Sequence, residues 1–274
     1  MRAVILVLLE RPEAATNVLT AASRAAQLMG ATRINVLAVR TPEVDLITAT
    51  EGSVTFDDNL PAQAAERTRL VALKAAFHEW AKSPKNGDTD LEWIELEGWS
   101  GQLMEEWGER SNLIVLQRPG SKETEPGRGT VLTALFDTGR PVLVVPQDVD
   151  PKGFGMQVAI AWRNDTRTTK TVLAALEWLG GATAIHVMAG TKRWESPPSL
   201  PPIFVEHGID AQLHILPMSS QRGFGEVLLS RAHELDADLL VLGAFAHPML
   251  FGPILGSVTK HMLTHADLPV LMRY

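Results

Sequence analysis

Short runs of consecutive apolar residues alternate along the chain with longer stretches in which apolar residues recur every three or four positions. Leu239–Leu242 is apolar at every position, which is typical of a parallel strand covered on both faces. Further on, Val258, Met262 and Leu263 recur at the spacing of one helix face. The pattern therefore predicts strands and helices in alternation.

The same order of elements occurs twice. Leu113–Gly120 parallels Leu239–Ala246, and Arg140–Pro146 parallels Leu268–Tyr274. The predicted elements of the first copy are, in order, Met1–Leu9, Thr16–Met29, Arg33–Val39, Pro61–Ala81, Leu91–Leu96, Gly101–Glu109, Leu113–Gln117, Gly129–Asp137 and Val142–Val145. Those of the second are Met156–Trp162, Thr168–Leu179, Ala184–Met188, Pro202–His207, Asp210–Ile215, Gly225–Leu235, Leu239–Leu242, Ser257–His265 and Val270–Met272.

This alternation predicts an α/β fold with two tandem copies of a parallel five-stranded sheet, each with helices on both faces. Between the copies, Gln147–Gly155 is polar and carries Pro151, Gly153 and Gly155, a composition typical of a linker. We therefore expect one domain at residues 1–147 and a second at 154–274.

Composition and charge exclude several classes of protein. The chain is 45% hydrophobic and 21% charged, as expected of a globular protein that is neither disordered nor membrane-embedded. It contains no cysteine, which excludes disulfides and thiolate chemistry. The net charge of −7 disfavours nucleic acid and anionic membrane surfaces as partners. The start reads as a strand and not as a signal peptide, and we expect a cytoplasmic protein.

The loop between Leu242 and the predicted helix at Ser257 has the features of an anion site. Gly243 ends the strand, and Gly256 and Ser257 open the helix. Unpaired backbone N–H groups and the positive end of the helix dipole would point at one spot, beside the Ser257 hydroxyl.

The spacing of this loop resembles the nucleotide loop of the universal stress protein family, G-x2-G-x9-G-[ST]. Gly243 is followed by Ala246 three positions on, and then by Gly256 and Ser257 after nine intervening residues. Ala246 stands where the family has its second glycine. If that position needs a positive φ, the methyl group costs on the order of 1 kcal/mol, and if φ is negative it costs little.

Together with the repeat, the resemblance implies a tandem two-domain member of the family that binds ATP or a related adenine nucleotide in its C-terminal domain. The residues it implies for the nucleotide site are Ala161, Trp162, Asp165, Val187, Met188, Gly243, Ala246, His247, Gly256, Ser257, Val258 and Thr259. His247 would contact phosphate or ribose. Val187 and Met188 would offer main-chain atoms to the adenine.

Several of these residues have a second interpretation. ATP-binding relatives carry an adenine-contacting aspartate just after the first strand, but that position is Arg163 here and Asp165 lies two residues further on. Asp165 would then contact the adenine or cap the following helix. Trp162 would stack on a base or pack internally. Ser257 would bind the ligand or cap its own helix.

In the first copy the corresponding loop has lost the pattern. Gln117 stands where the first glycine is expected, Pro119 removes an N–H donor, and Thr130 replaces the third glycine. Arg118, Lys122 and Arg128 would bind an anion or belong to a solvated loop. We expect this copy to be a degenerate partner domain that does not bind ATP.

No catalytic or metal-binding motif is present, so we expect a protein that is not an enzyme and needs no metal. Two functions remain open: a stress-response protein whose bound nucleotide modulates protein interactions, and a nucleotide-independent scaffold or interaction module. The family resemblance also implies an intramolecular pseudo-dimer, in which Val142–Val145 and Val270–Met272 are the natural pairing edges. A homodimer and further protein partners of unknown identity are possible additions.

Overall fold

The computed structural model describes residues 3–42, 60–83, 89–119, 127–147, 153–218, 223–247 and 254–274. The elements of the N-terminal half are β1 Val4–Leu8, α1 Pro12–Met29, β2 Arg33–Arg40, α2 Leu60–Ala81, β3 Asp90–Glu97, α3 Ser100–Gly108, β4 Leu113–Gln117, α4 Arg128–Phe136 and β5 Val142–Val145. Those of the C-terminal half are β6 Gln157–Trp162, α5 Thr166–Leu179, β7 Ala184–Thr191, α6 Pro202–Glu206, β8 Gln212–Pro217, α7 Phe224–Glu234, β9 Leu239–Gly243, β10 Ala246–His247, β11 Ile254–Leu255, α8 Ser257–His265 and β12 Val270–Arg273.

Each helix and strand predicted from the sequence is present, with small shifts at the ends. The largest shift at a helix start is in α1, which begins at Pro12 instead of Thr16. Proline is favoured in the first turn of a helix because its missing N–H has no partner there in any case. The short hairpin β10–β11, in the loop before α8, was not predicted.

One sheet of ten strands runs through both halves, in the order β3-β2-β1-β4-β5-β12-β9-β6-β7-β8. Within each half the strands are parallel. At the centre β5 and β12 pair antiparallel, with Leu143 opposite Leu271. The predicted fold class, an α/β protein with two tandem five-stranded parallel sheets, is confirmed.

Helices cover both faces of the sheet and bury two apolar layers. In β1, Ile5 and Val7 belong to the layer under α1, α2 and α5. Leu6 and Leu8 point the other way, into the layer under α3, α4, α7 and α8. Each layer contains side chains from both halves, so the core is continuous across the β5–β12 pair.

The segment that enters β6 is fixed by one carboxylate. Asp238 accepts hydrogen bonds from the backbone N–H of Gly155 at 2.7 Å and of Gln157 at 3.0 Å. Beside it, the Phe154 ring lies 6.2 Å from that of Trp178, and Arg24 of α1 donates to the Phe154 carbonyl at 2.9 Å. The end of the predicted linker is therefore held by both halves. The domain bounds 1–147 and 154–274 stay a prediction.

Among the helices that the structure describes, none is long and apolar enough to cross a membrane.

Separating the halves should expose the edge of β12. Val270, Leu271 and Met272 are at most 1% exposed in the full chain, and an unpaired apolar edge favours pairing with another chain. We expect residues 154–274, expressed alone, to form dimers or larger aggregates. Size-exclusion chromatography with light scattering, run beside the full chain, measures this. A fragment that stays monomeric and unfolds cooperatively would contradict the expectation.

Candidate functional site

The C-terminal half has a crevice where its strand order reverses. From β6 the chain passes through α5 to β7 on one side, while β9 and β12 lie on the other side. Open α/β sheets bind ligands outside the carboxyl ends of the strands at such a point. A cavity of about 720 Å³ lies there. It is lined by Arg163, Asp165, Thr166, Arg167, Lys170, Phe245, Gly256, Ser257, Val258, Thr259 and Tyr274.

On one side the cavity is bounded by the start of α5, which Asp165 caps. One carboxylate oxygen of Asp165, Oδ1, accepts from the Thr168 N–H at 2.9 Å. The other, Oδ2, lies 3.3 Å from Nε of Arg163, without the geometry of a hydrogen bond. The helix-cap interpretation of Asp165 is therefore confirmed, and its contact with an adenine stays a prediction.

Gly243 allows α5 to approach the end of β9. A Cβ atom at this position would lie 3.1 Å from both the N and Oγ1 atoms of Thr168, a tighter contact than side chains normally make. Gly243 is not among the lining residues, so its role in this structure is to bring the start of α5 close to the sheet.

On the other side the cavity is bounded by the start of α8. The cap residue is Gly256, with no side-chain hydrogen bond, and Ser257 is the first helical residue. The interpretation that Ser257 caps its own helix is therefore wrong. Intrahelical bonding begins with Lys260 N–H donating to Gly256 at 2.9 Å, so the N–H groups before it have no intrahelical partner.

Two hydrogen bonds fix Phe245 against this helix start. Its N–H donates to the Thr259 hydroxyl at 3.0 Å, and its carbonyl accepts from the Gly256 N–H at 2.7 Å. Thr259 is fully buried. Its hydroxyl therefore holds the loop, and Phe245 forms part of the cavity wall.

The charge of the cavity wall is mainly positive. Arg163, Arg167 and Lys170 line it, against the single carboxylate of Asp165. Guanidinium groups lie over the Phe245 ring, with Cζ of Arg163 at 4.8 Å and Cζ of Arg167 at 5.4 Å from its centre. Together with two helix N-termini, this arrangement suits an anion with several charges.

Most of the positive charge of the cavity wall was not predicted from the sequence. Arg167 and Lys170 are three residues apart at the start of α5, a spacing that places them on one helix face, and this signal was available. Tyr274 had no local signal, because it reaches the cavity only through the pairing of β12 with β9. Its hydroxyl accepts from Nη2 of Arg167 at 3.0 Å, and its ring lies 4.8 Å from that of Phe136 in the N-terminal half.

Trp162, Val187 and Met188 were predicted for the site but, like Gly243, are not among the residues that line the cavity. Trp162 packs edge-on against Phe204, with ring centres 5.9 Å apart, so its packing interpretation is confirmed. Val187 and Met188 are fully buried and paired on both sides, and β7 continues beyond them to Thr191. In this structure their main-chain atoms belong to the sheet, which corrects the expectation that they lie at the end of their strand.

The remaining predicted residues are Ala161, Ala246 and His247. Ala161 is paired within the sheet, beside Leu242 and Met188. Ala246 and His247 form β10 and pair antiparallel with β11. A strand residue has extended backbone with negative φ, so alanine at 246 carries no cost from a left-handed conformation.

In the N-terminal half the equivalent place is filled by Glu10. Ile5 pairs with Leu113 in the way that Val158 pairs with Leu239, and counting from these pairs places Glu10 where the other half has Arg163. Oε1 of Glu10 accepts from the Thr130 hydroxyl at 2.8 Å. Gly127 caps α4, and a Cβ atom there would lie 2.7 Å from Oε2 of Glu10.

Arginines around Glu10 are engaged with the protein itself. Arg69 donates to the Glu10 carbonyl at 3.0 Å, and Arg11 donates to the Gln117 side chain at 2.9 Å. Arg118 donates to the carbonyl of Thr264, across the join between the halves. Lys122, also considered for an anion, lies outside the described residues. The described residues around Glu10 are thus engaged in internal contacts.

Comparisons with known proteins agree with this picture. Residues 222–272 match the model of the Universal stress protein family, and they contain the loop, α8 and all but the last residue of β12. The chain is similar to the crystal structure of a universal stress protein from Archaeoglobus fulgidus DSM 4304, with 15% identity, a TM-score of 0.67, and coverage of 98% of this chain and 95% of that one.

Two further structures span the same length. A functionally unknown protein from Pseudomonas aeruginosa PAO1 has 16% identity and a TM-score of 0.62, covering 99% of this chain and 92% of its own. A candidate universal stress protein from Pseudomonas aeruginosa UCBPP-PA14 has 16% identity and a TM-score of 0.59, covering 100% and 93%. No curated protein matches the chain in sequence. At these identities the structural likeness concerns the fold.

The Glu10 carboxyl should make stability depend on pH. Burial raises its pKa, and the Thr130 hydrogen bond and the charges of Arg69 and Arg11 oppose this with smaller effects. A raised pKa in the folded state means that the stabilising contribution is complete below the unfolded pKa and is lost as pH rises through the folded one. We expect Glu10→Gln to gain stability relative to the native chain as pH rises above about 4.3, the usual pKa of a glutamate side chain.

Urea unfolding at several pH values measures this difference. Glu13→Gln, an exposed position in the first turn of α1, is the matched control for losing one negative charge. A difference between the native chain and Glu10→Gln that stays constant with pH would contradict the expectation.

Proposed function

We propose that this chain, which matches the Universal stress protein family over residues 222–272 and has the fold of a solved universal stress protein along its length, binds ATP or a related adenine nucleotide in its C-terminal half. The nucleotide lies in the cavity between α5 and α8 and modulates the protein's interactions with partners in a stress response. The observation that carries this proposal is the convergence of two helix N-termini and three cationic side chains on one cavity at the point of strand-order reversal.

Each wall of the cavity has a role in this binding. The N–H groups at the start of α8 and the Ser257 hydroxyl donate hydrogen bonds to the phosphates, in a geometry that helix N-termini offer to anions. Arg167 and Lys170, from α5, supply positive charge across the cavity. Phe245 and Gly256 keep the loop close to the helix start through their hydrogen bond of 2.7 Å.

The N-terminal half serves as a built-in partner. Its own crevice is filled by the Glu10 carboxyl, so it does not take up a nucleotide. It pairs its last strand with β12 and places Phe136 against Tyr274 of the cavity wall. We propose that the two halves act as an intramolecular pseudo-dimer and that the whole chain can also form a homodimer. We further propose that the protein acts in the cytoplasm and binds its nucleotide without catalysing a reaction.

A nucleotide-independent scaffold of the same fold is the second candidate function. It is favoured by the engagement of Asp165 as a helix cap and by the position of Val187 and Met188 inside the sheet. In this structure, three of the residues that the family resemblance implied for the adenine are thus engaged in a helix cap or buried within the sheet. These observations leave the anion-binding walls unchanged.

Thermal unfolding of the full chain with and without millimolar ATP–Mg²⁺ separates the two functions. A ligand at about 100 times its Kd stabilises the folded state by about 2.7 kcal/mol, so we expect a clear rise in Tm. Ser257→Asp should abolish this rise, because a carboxylate would repel the phosphates while it stabilises the helix N-terminus. Ala246→Gly should leave the rise unchanged, since the backbone at 246 is extended.

Ser100→Asp is the matched control, because Ser100 is also the first residue of its helix, α3, but lies in the N-terminal half. It should keep the full ATP effect. A native chain whose Tm does not respond to ATP would favour the scaffold. If ATP raised the Tm of Ala246→Gly but not that of the native chain, Ala246 would be identified as the obstacle to binding.

A further inference from the structure

We propose that the cavity recognises its ligand through the phosphates alone, so that it binds nucleoside triphosphates without regard to the base and binds inorganic tripolyphosphate equally well. This inference rests on the proposed function, because it concerns the same cavity. It changes the class of ligand from an adenine nucleotide to any linear triphosphate.

The aromatic faces at the cavity are already covered by guanidinium groups. Arg163 and Arg167 lie over the ring of Phe245, with Cζ at 4.8 Å and 5.4 Å from its centre. Arg167 also lies 4.4 Å from the centre of the Tyr274 ring. A base that stacked on the covered face of either ring would have to displace an arginine. Trp162, the third aromatic residue nearby, packs against Phe204 instead.

The polar groups able to read the edge of a base are engaged as well. Oδ1 of Asp165 accepts from Thr168 N–H at 2.9 Å, and Oδ2, which makes no hydrogen bond, is buried beside Arg163 Nε at 3.3 Å. The Tyr274 hydroxyl accepts from Arg167 at 3.0 Å. Among the described lining residues this leaves the hydroxyls of Thr166 and Ser257. A hydroxyl both donates and accepts, so it pairs with either type of base edge and does not distinguish them.

Groups that bind phosphate are, by contrast, abundant and accessible. Lys170 makes no hydrogen bond or ion pair with any residue in the described ranges, and it lines the cavity. A guanidinium stacked on a ring still presents N–H donors at its rim, so Arg163 and Arg167 can hold phosphate oxygens while they cover Phe245. The cavity thus offers positive charge at the α5 wall and backbone N–H groups at the α8 wall.

The test compares four probes on the full chain by thermal unfolding, at matched Mg²⁺ and ionic strength: ATP, GTP, inorganic tripolyphosphate and adenosine. We expect apparent Kd values for GTP and tripolyphosphate within about threefold of that for ATP, and no Tm shift with adenosine. Sodium sulfate at the same ionic strength controls for general salt stabilisation.

Lys170→Gln then assigns the effect to the cavity. Losing one charge-assisted contact should raise the apparent Kd values of ATP, GTP and tripolyphosphate by the same factor, about tenfold. Lys82→Gln, an exposed lysine of the N-terminal half, is the matched control and should change none of them. Arg167→Gln with Arg110→Gln as its control repeats the comparison for an arginine.

The possible outcomes distinguish a failure of this inference from a failure of the proposed function on which it rests. ATP binding at least tenfold tighter than GTP or tripolyphosphate, or a Tm shift with adenosine, would overturn the inference and leave adenine-nucleotide binding standing. If Lys170→Gln weakened the binding of ATP but not that of GTP and tripolyphosphate, the inference would also be overturned. If none of the probes shifts Tm, both the inference and the proposed function fail.

Discussion

The antiparallel pairing of β5 with β12 is the interaction on which the rest of the molecule depends. It joins two five-stranded parallel sheets into one, with Leu143 opposite Leu271. Because helices cover both faces across this line, the two apolar layers continue from one half into the other. The same pairing places Tyr274, the residue directly after β12, so that its ring contacts the ring of Phe136 in the N-terminal half. One wall of the cavity is therefore supported by the opposite half.

The two halves use the same backbone plan with opposite chemistry. At equivalent positions after the first strand, one has Glu10 and the other Arg163. In the first, the carboxyl reaches the start of α4 and accepts from Thr130. In the second, the guanidinium turns to Phe245 and the start of α8 remains accessible from the cavity. Since a helix N-terminus attracts negative charge, an internal carboxyl satisfies the helix start in one half, and in the other half the helix start lines the cavity.

Much of this architecture could be predicted from the sequence, because burial on both faces leaves unbroken apolar runs such as Leu239–Leu242. The loop from Gly243 to Ser257 could be placed for the same reason, and Ser257, Val258 and Thr259 do lie at the cavity. The neighbours of a strand end could not be predicted. Tyr274 and Phe136 are far apart in the chain, and only the strand order brings them together. Nor does periodicity show how far a strand continues, so Val187 and Met188 fell inside β7 instead of at its end.

Glu10 also shows what a fused pair of domains can do that a symmetric homodimer cannot. In a homodimer each residue is present in both subunits, so a side chain that closes one crevice closes its counterpart as well. Fusion removes this constraint, because the two copies then vary independently within one chain. One crevice can be closed by the protein's own carboxyl while the other stays open, so that a single chain with two similar halves has two different crevices.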